Sequence, residues 1–104
     1  MPRRDPNLEK LIDQASVDTD TIDDVAMGLC YGIQEHVKFP IPGRVVGEDV
    51  SVVGVEEGEG VDVVAICERK GRRYHVRLDD VTVSVRPKGI EWLDAYRLFK
   101  KRGY

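Results

Sequence analysis

The chain has 104 residues, 41% of them hydrophobic and 34% charged, with a formal net charge of −3. That length suits one domain, 1–104, and buries enough surface for a core without disulfide or metal staples. Periodic apolar residues exclude disorder, the acidic balance argues against sequence-independent nucleic-acid binding, and no apolar run approaches a membrane span.

Residues 1–7 carry Pro2 and Pro6 and no apolar period, which predicts a loose N-terminal tail. Leu8, Leu11, Ile12 and Ala15 then recur at helical spacing and predict a short helix over about 7–16. Residues 17–20 break the pattern. Thr21 is placed to cap a second helix, with Asp24 three residues on. Ile22, Val25, Leu29, Ile33 and Val37 line one face of that helix, about 22–37. Gly28 and Gly32 share a face and predict close packing against a sheet. Phe39-Pro40-Ile41-Pro42 ends the helix, because proline lacks a donor and restricts its predecessor.

From Gly43 the composition turns to valine, glycine and alternating charge. Residues 44–55 read as one long strand or two bent ones, with Gly47 and Gly54 at bends or bulges. Glu56, Glu57 and Glu59 lie in an acidic, glycine-rich turn that reads as a solvated hairpin tip. A second strand spans about 61–69, and Lys70-Gly71 makes a tight hairpin. Residues 73–85 form a third segment, with Tyr74, Val76 and Leu78 on the core face and His75, Arg77 and Asp79 on the other. Its phase slips at Asp79-Asp80, which predicts a bulge or corner. After Gly89, residues 90–101 are helical again, with Trp92, Tyr96 and Phe99 on a core-facing line and Lys100, Lys101 and Arg102 near the end. The expected fold class is therefore α+β: a small antiparallel β-meander or SH3-like open barrel, with two N-terminal helices and one C-terminal helix.

The chemistry points to binding rather than catalysis, and no enzyme is expected. Ser16, Ser51 and Ser84 lie in no nucleophile elbow. Cys30 and Cys67 read as buried structural thiols. With His36 and His75 they lack the ligand spacing of a zinc site. Residues 1–6 lack the apolar core of a signal peptide, so a cytoplasmic chain with reduced thiols is expected. Arg69, Lys70, Arg72 and Arg73 make one hairpin basic. An interaction module that binds protein or nucleic acid through the barrel and this hairpin is therefore the alternative reading.

Carboxylates are the abundant chemistry, and they fall in three groups. Asp18, Asp20, Asp23 and Asp24 precede and open the second helix. Glu48 and Asp49 lie on the meander, with Glu56, Glu57 and Glu59 further along. Asp79 and Asp80 occupy the strand corner. A hard cation such as Ca2+ takes six to eight oxygen ligands. It also relieves the mutual repulsion of clustered acids. The first group is not an EF-hand, because Ile22, Asp23 and Leu29 fail that loop's fifth, sixth and twelfth positions.

The acidic stretch 17–24, Phe39-Pro40-Ile41-Pro42 leading to Arg44-Val45-Val46-Gly47, residues 50–54, 65–69 and 74–81, and the terminal Ala95-Tyr96-Arg97 follow one another in a set order. In that order they resemble the small cyanobacterial-type calcium-binding proteins called CcbP-like. The resemblance implies a cytosolic protein that binds Ca2+ without EF-hands and buffers or sequesters it. Carried over by position, it implies Asp18, Asp23, Asp24 and Asp80 as ligands; Asp20 and Asp79 join them from the clusters themselves. Calcium ion is the expected partner; no membrane is expected, nucleic acid is disfavoured, and no protein partner is indicated.

Overall fold

The structure, a computed structural model, describes residues 6–16 and 21–102. The expected tail thus lies largely outside the described residues, as do Asp18 and Asp20.

Helix α1 spans Pro6–Ala15. Proline at its first position gives up only an amide that has no helical partner there. Ile12 is its buried anchor, and Ser16 closes it by donating its Oγ hydrogen to the Ile12 carbonyl at 2.7 Å. Helix α2 spans Ile22–His36. Thr21 caps it as expected, its Oγ1 accepting from the Asp24 amide at 3.2 Å. Ala26, Leu29, Cys30, Gly32 and Ile33 form its buried stripe.

The two glycines of α2 pack on helices rather than on the sheet. A Cβ at Gly28 would sit 2.9 Å from the Ala15 carbonyl oxygen, and one at Gly32 would sit 2.1 Å from Trp92 Cε3. The reason is that α2 has helical neighbours as well as a sheet to cover. Ile33 shares an apolar crevice with Val52, Val55 and Leu78, while the glycines admit α1 and the Trp92 ring.

Strands β1 (Ile41–Val45), β2 (Glu48–Glu57), β3 (Val63–Arg69) and β4 (Arg72–Arg77) follow as an open antiparallel sheet in chain order. Val46-Gly47 and Lys70-Gly71 are two-residue turns with positive φ at both positions, the geometry that matches sheet twist. The register of β2 on β3 shifts between Val52 and Gly54. That extra residue explains how Val52 and Val55, an odd number apart, are both buried.

The expected long third strand is broken. It ends at Arg77, and Leu78–Asp80 form a 3-10 turn. The turn buries Leu78 and Val81 three residues apart, which a continuous strand cannot do. Thr82 then bridges Arg44, each amide donating to the other's carbonyl at 2.9 Å. Tyr74 is also corrected: it is 47% exposed, because it sits beyond the reach of the helices at the hairpin end of β4.

Helix α3 spans Glu91–Lys101 and buries Leu93, Ala95, Tyr96 and Phe99. Trp92 is only half-buried; its ring stacks on His36 with centroids 5.0 Å apart. Tyr96 is fully buried, and its hydroxyl accepts from the Val63 amide at 3.0 Å and donates to the Val61 carbonyl at 3.1 Å. Tyr96→Phe is expected to cost about 1–3 kcal/mol in urea unfolding, because it leaves the Val63 amide without its partner. Among the described residues no helix is long and apolar enough to cross a membrane.

Candidate metal centre

Two of the anticipated acids, Asp23 and Asp24, stand in the first turn of α2. The positive end of the helix dipole lies beside them. The chain after β2 comes back towards this helix end. The Gly58 amide donates to the Asp62 carbonyl at 3.0 Å, and the Asp62 amide donates to Glu59 at 2.9 Å. Glycine is required at 58, since a Cβ there would lie 2.9 Å from the Asp62 carbonyl oxygen. The closed turn leaves a crevice of about 20 Å³ lined by Asp23, Cys30, Glu57, Gly58, Gly60 and Asp62.

The neighbouring groups register the acidic field of this crevice. The Tyr31 hydroxyl donates to a Glu57 carboxylate oxygen, and that bond raises the phenol's pKa. Burial pushes the Cys30 thiol up to about 11, helped by the charges of Glu57 and Glu56. Cys30 is therefore a neutral, inert thiol at physiological pH.

Asp79 and Asp80 have a different setting. Lys100 Nζ lies 2.6 Å from Asp62 Oδ1 and 3.3 Å from Asp79 Oδ2. Arg77 lies 3.6 Å from Asp79 and 3.9 Å from Asp80. The chain's own cations thus already face the 3-10 turn. Asp62 is the common member of both groups, lining the crevice with Asp23 and sharing Lys100 with Asp79. Among the described residues, no three histidine, cysteine or carboxylate side chains form a group that could hold a metal ion.

Sequence reasoning missed Asp62 and took Glu57 for part of a solvated tip. The available signal was Gly58-Glu59-Gly60, a turn tight enough to fold Asp62 inward just before a buried strand.

The hydrogen bond to Lys100 holds the Asp62 carboxyl below the usual carboxylate range; burial opposes it, and the charges of Lys100 and Arg77 add to it. A depressed carboxyl stabilises the fold above its unfolded pKa of about 3.9 and loses that contribution as pH falls through the folded value. Asp62→Asn is expected to lower the urea midpoint at pH 7, with the gap to wild type closing by pH 2.

A wider groove lies at the open end of the sheet, away from these acids. It has a volume of about 420 Å³ and is lined by Val45, Val46, Val50, Cys67, Tyr74 and Val76. Arg69 pairs with Glu48 at its rim, and Arg73 pairs with Glu68, which offsets two of the basic hairpin's four cations.

These elements define a class of small α+β protein: two helices, a four-stranded meander ending in a 3-10 turn, and a closing helix. The fold is CcbP-like. The chain is similar to Anabaena CcbP, whose crystal structure it matches with a TM-score of 0.78 at 22% identity, over 99% of this chain and 96% of that one. It is also similar to a calcium binding protein in its calcium-binding form, with a TM-score of 0.76 at 22% identity, over 97% of this chain and 94% of that one. No family model and no curated protein sequence matches the chain.

Proposed function

We propose that this protein binds Ca2+ through carboxylates that flank the crevice between the start of α2 and the turn after β2 and that come together only on the ion. The observation that carries the proposal is that Asp23, Glu57 and Asp62 line one crevice. The likeness of the fold to a calcium binding protein in its calcium-binding form supports it. So do the three carboxylates of the crevice lining, since oxygen donors suit a hard cation. Asp18, Asp20 and Asp24 belong to the same acidic stretch of sequence and complete the proposed set. Glu57 is held by the Tyr31 hydroxyl and Asp62 by Lys100 in the ion-free protein; in this proposal both turn to the divalent ion, and carbonyls and water supply the remaining oxygens.

Asp79 and Asp80 enter this proposal as partners of Lys100 and Arg77 rather than as ligands. A site that assembles only on the ion suits reversible buffering or sequestration over catalysis. Two buried free cysteines, Cys30 and Cys67, suit a reducing cytoplasm. The Arg44–Thr82 bridge supports reading the sheet as a rudimentary SH3-like barrel within one domain.

Calorimetric titration tests the proposal. Saturable binding is expected, weakened at least about tenfold, 1.4 kcal/mol, by Asp23→Asn combined with Glu57→Gln. Heat of dilution alone for the wild type sinks it. The exposed groove favours the second reading, an interaction module. A salt-dependent mobility shift with RNA, lost in Arg72→Ala/Arg73→Ala, would support that one, and the calcium reading expects no such shift.

A further inference from the structure

We propose that the outer edge of β4 receives an extended, acidic segment of a partner protein, which adds a strand to the sheet and lays its apolar side chains in the groove beside that edge. Strand addition gives the interaction reading above a partner and a place, and it does not depend on calcium.

The sheet ends at β4, which pairs only with β3. The tight turn at Lys70-Gly71 makes Arg69 and Arg72 a hydrogen-bonded pair, so by alternation Arg72, Tyr74 and Val76 direct their backbone bonds to β3. Arg73 and His75 aim their amides and carbonyls outward, where no backbone group meets them among the described residues. The other sheet edge, β1, is blunted by Pro42 and by the Thr82 bridge to Arg44. β4 has neither device: it runs six residues, about 20 Å, in unbroken register and without proline. Such an edge is a template for another strand.

The groove of about 420 Å³ runs to this edge. Tyr74 and Val76 stand on its face of the strand, opposite the buried Cys67 and Ala65. His75 also lines it, although its side chain lies on the far face, 3.3 Å from Glu56. The groove therefore reaches the strand's backbone. Arg72 shares the face of Tyr74 and stands directly across from Arg69, a repulsive pair. Glu48 holds Arg69, but among the described residues neither Arg72 nor Lys70 pairs with a carboxylate. An apolar groove with an uncompensated cation on its face calls for a strand that carries a carboxylate two residues from an apolar side chain, since alternate residues share a face.

A second copy of this chain fits poorly, because β4 on β4 sets Arg72, Arg73 and Arg77 of both along one seam. RNA fits poorly too: the groove is mostly valine with Tyr74 alone to stack a base, and Glu48 and Glu68 beside its cations repel phosphate. The chain's own Pro2-Arg3-Arg4 carries the wrong charge.

The experiment follows amide shifts of the full chain, without calcium, as the peptide Asp-Thr-Val-Thr-Val-Thr-Asp is added. Saturable shifts are expected at residues 73–76 and Val46. Lysine in place of both aspartates is expected to weaken binding at least about tenfold, and Arg72→Glu at least about fivefold. Arg72 is exposed, so the variant folds. Peptides N-methylated on the valines or on the threonines read main-chain pairing: one set is expected to abolish binding and the other to leave it, and any other pattern overturns strand addition. No saturable shift at millimolar peptide, shifts confined elsewhere, or equal binding of the lysine peptide overturns the proposal and leaves the calcium reading untouched. A uridine decamer that moves the same amides at lower concentration, or β4 amides that move with protein concentration alone, assigns the groove to RNA or to a second copy and overturns it as well.

Discussion

Gly89→Ala is expected to destabilise the protein by about 4 kcal/mol, the sum of a backbone-strain cost and an overpacking cost. Gly89 lies just before α3 with φ at +90°, a conformation that L side chains rarely adopt. A Cβ there would lie 2.0 Å from the His36 carbonyl oxygen and 3.1 Å from the Val37 amide nitrogen. Both neighbours are backbone at the end of α2, so no side chain can swing aside. Relief requires α2 and the chain entering α3 to separate, and both are anchored in the core, through Ile33 and Ile90. Urea unfolding at pH 7 measures the loss. A change below about 1 kcal/mol would mean that this contact is not part of the folded state.

Leu29→Ala is expected to cost about 3 to 4 kcal/mol, within the range for large-to-small changes in a core. Leu29 has no exposed surface and sits mid-helix in α2. It belongs to the hydrophobic cluster that includes Ile12 of α1, Val52 and Val63 of the sheet, and Tyr96 of α3. Elements on several sides hold the site open, so the cavity cannot collapse and its cost adds to the lost transfer energy. Urea midpoints with an unchanged denaturant slope are the expected readout. Leu8, by contrast, is only half-buried at the start of α1, and Leu8→Ala is expected to cost a fraction of that.

The local features were legible in the sequence because each is decided within a few residues. The Thr21 cap, the Lys70-Gly71 hairpin, the bulge near Gly54 and the corner at Asp79-Asp80 all follow from turn chemistry and side-chain period. What failed depends on partners far away in sequence. Gly32 faces Trp92 rather than a strand, and Tyr74 faces a groove that no helix reaches. Periodicity reports that a face is apolar but not what covers it.

The candidate site divides the same way. Asp23 and Asp24 were visible as an acidic helix start, and the structure keeps them there. Asp62 was not singled out, because its ion pair with Lys100, 38 residues away, and the turn that folds the chain back after β2 are not decided by local pattern. Asp79 and Asp80 were visible as a pair, yet pairing of acids in sequence does not reveal the cations that meet them in space.

The most direct measurement is a calcium titration followed by amide chemical shifts of the full chain. Saturable shifts are expected at Asp23, Asp24, Glu57, Gly58, Glu59, Gly60 and Asp62, with the groove residues Val45, Val50 and Tyr74 unmoved. Calcium up to millimolar levels that leaves the amides of residues 57–62 in place would contradict the account.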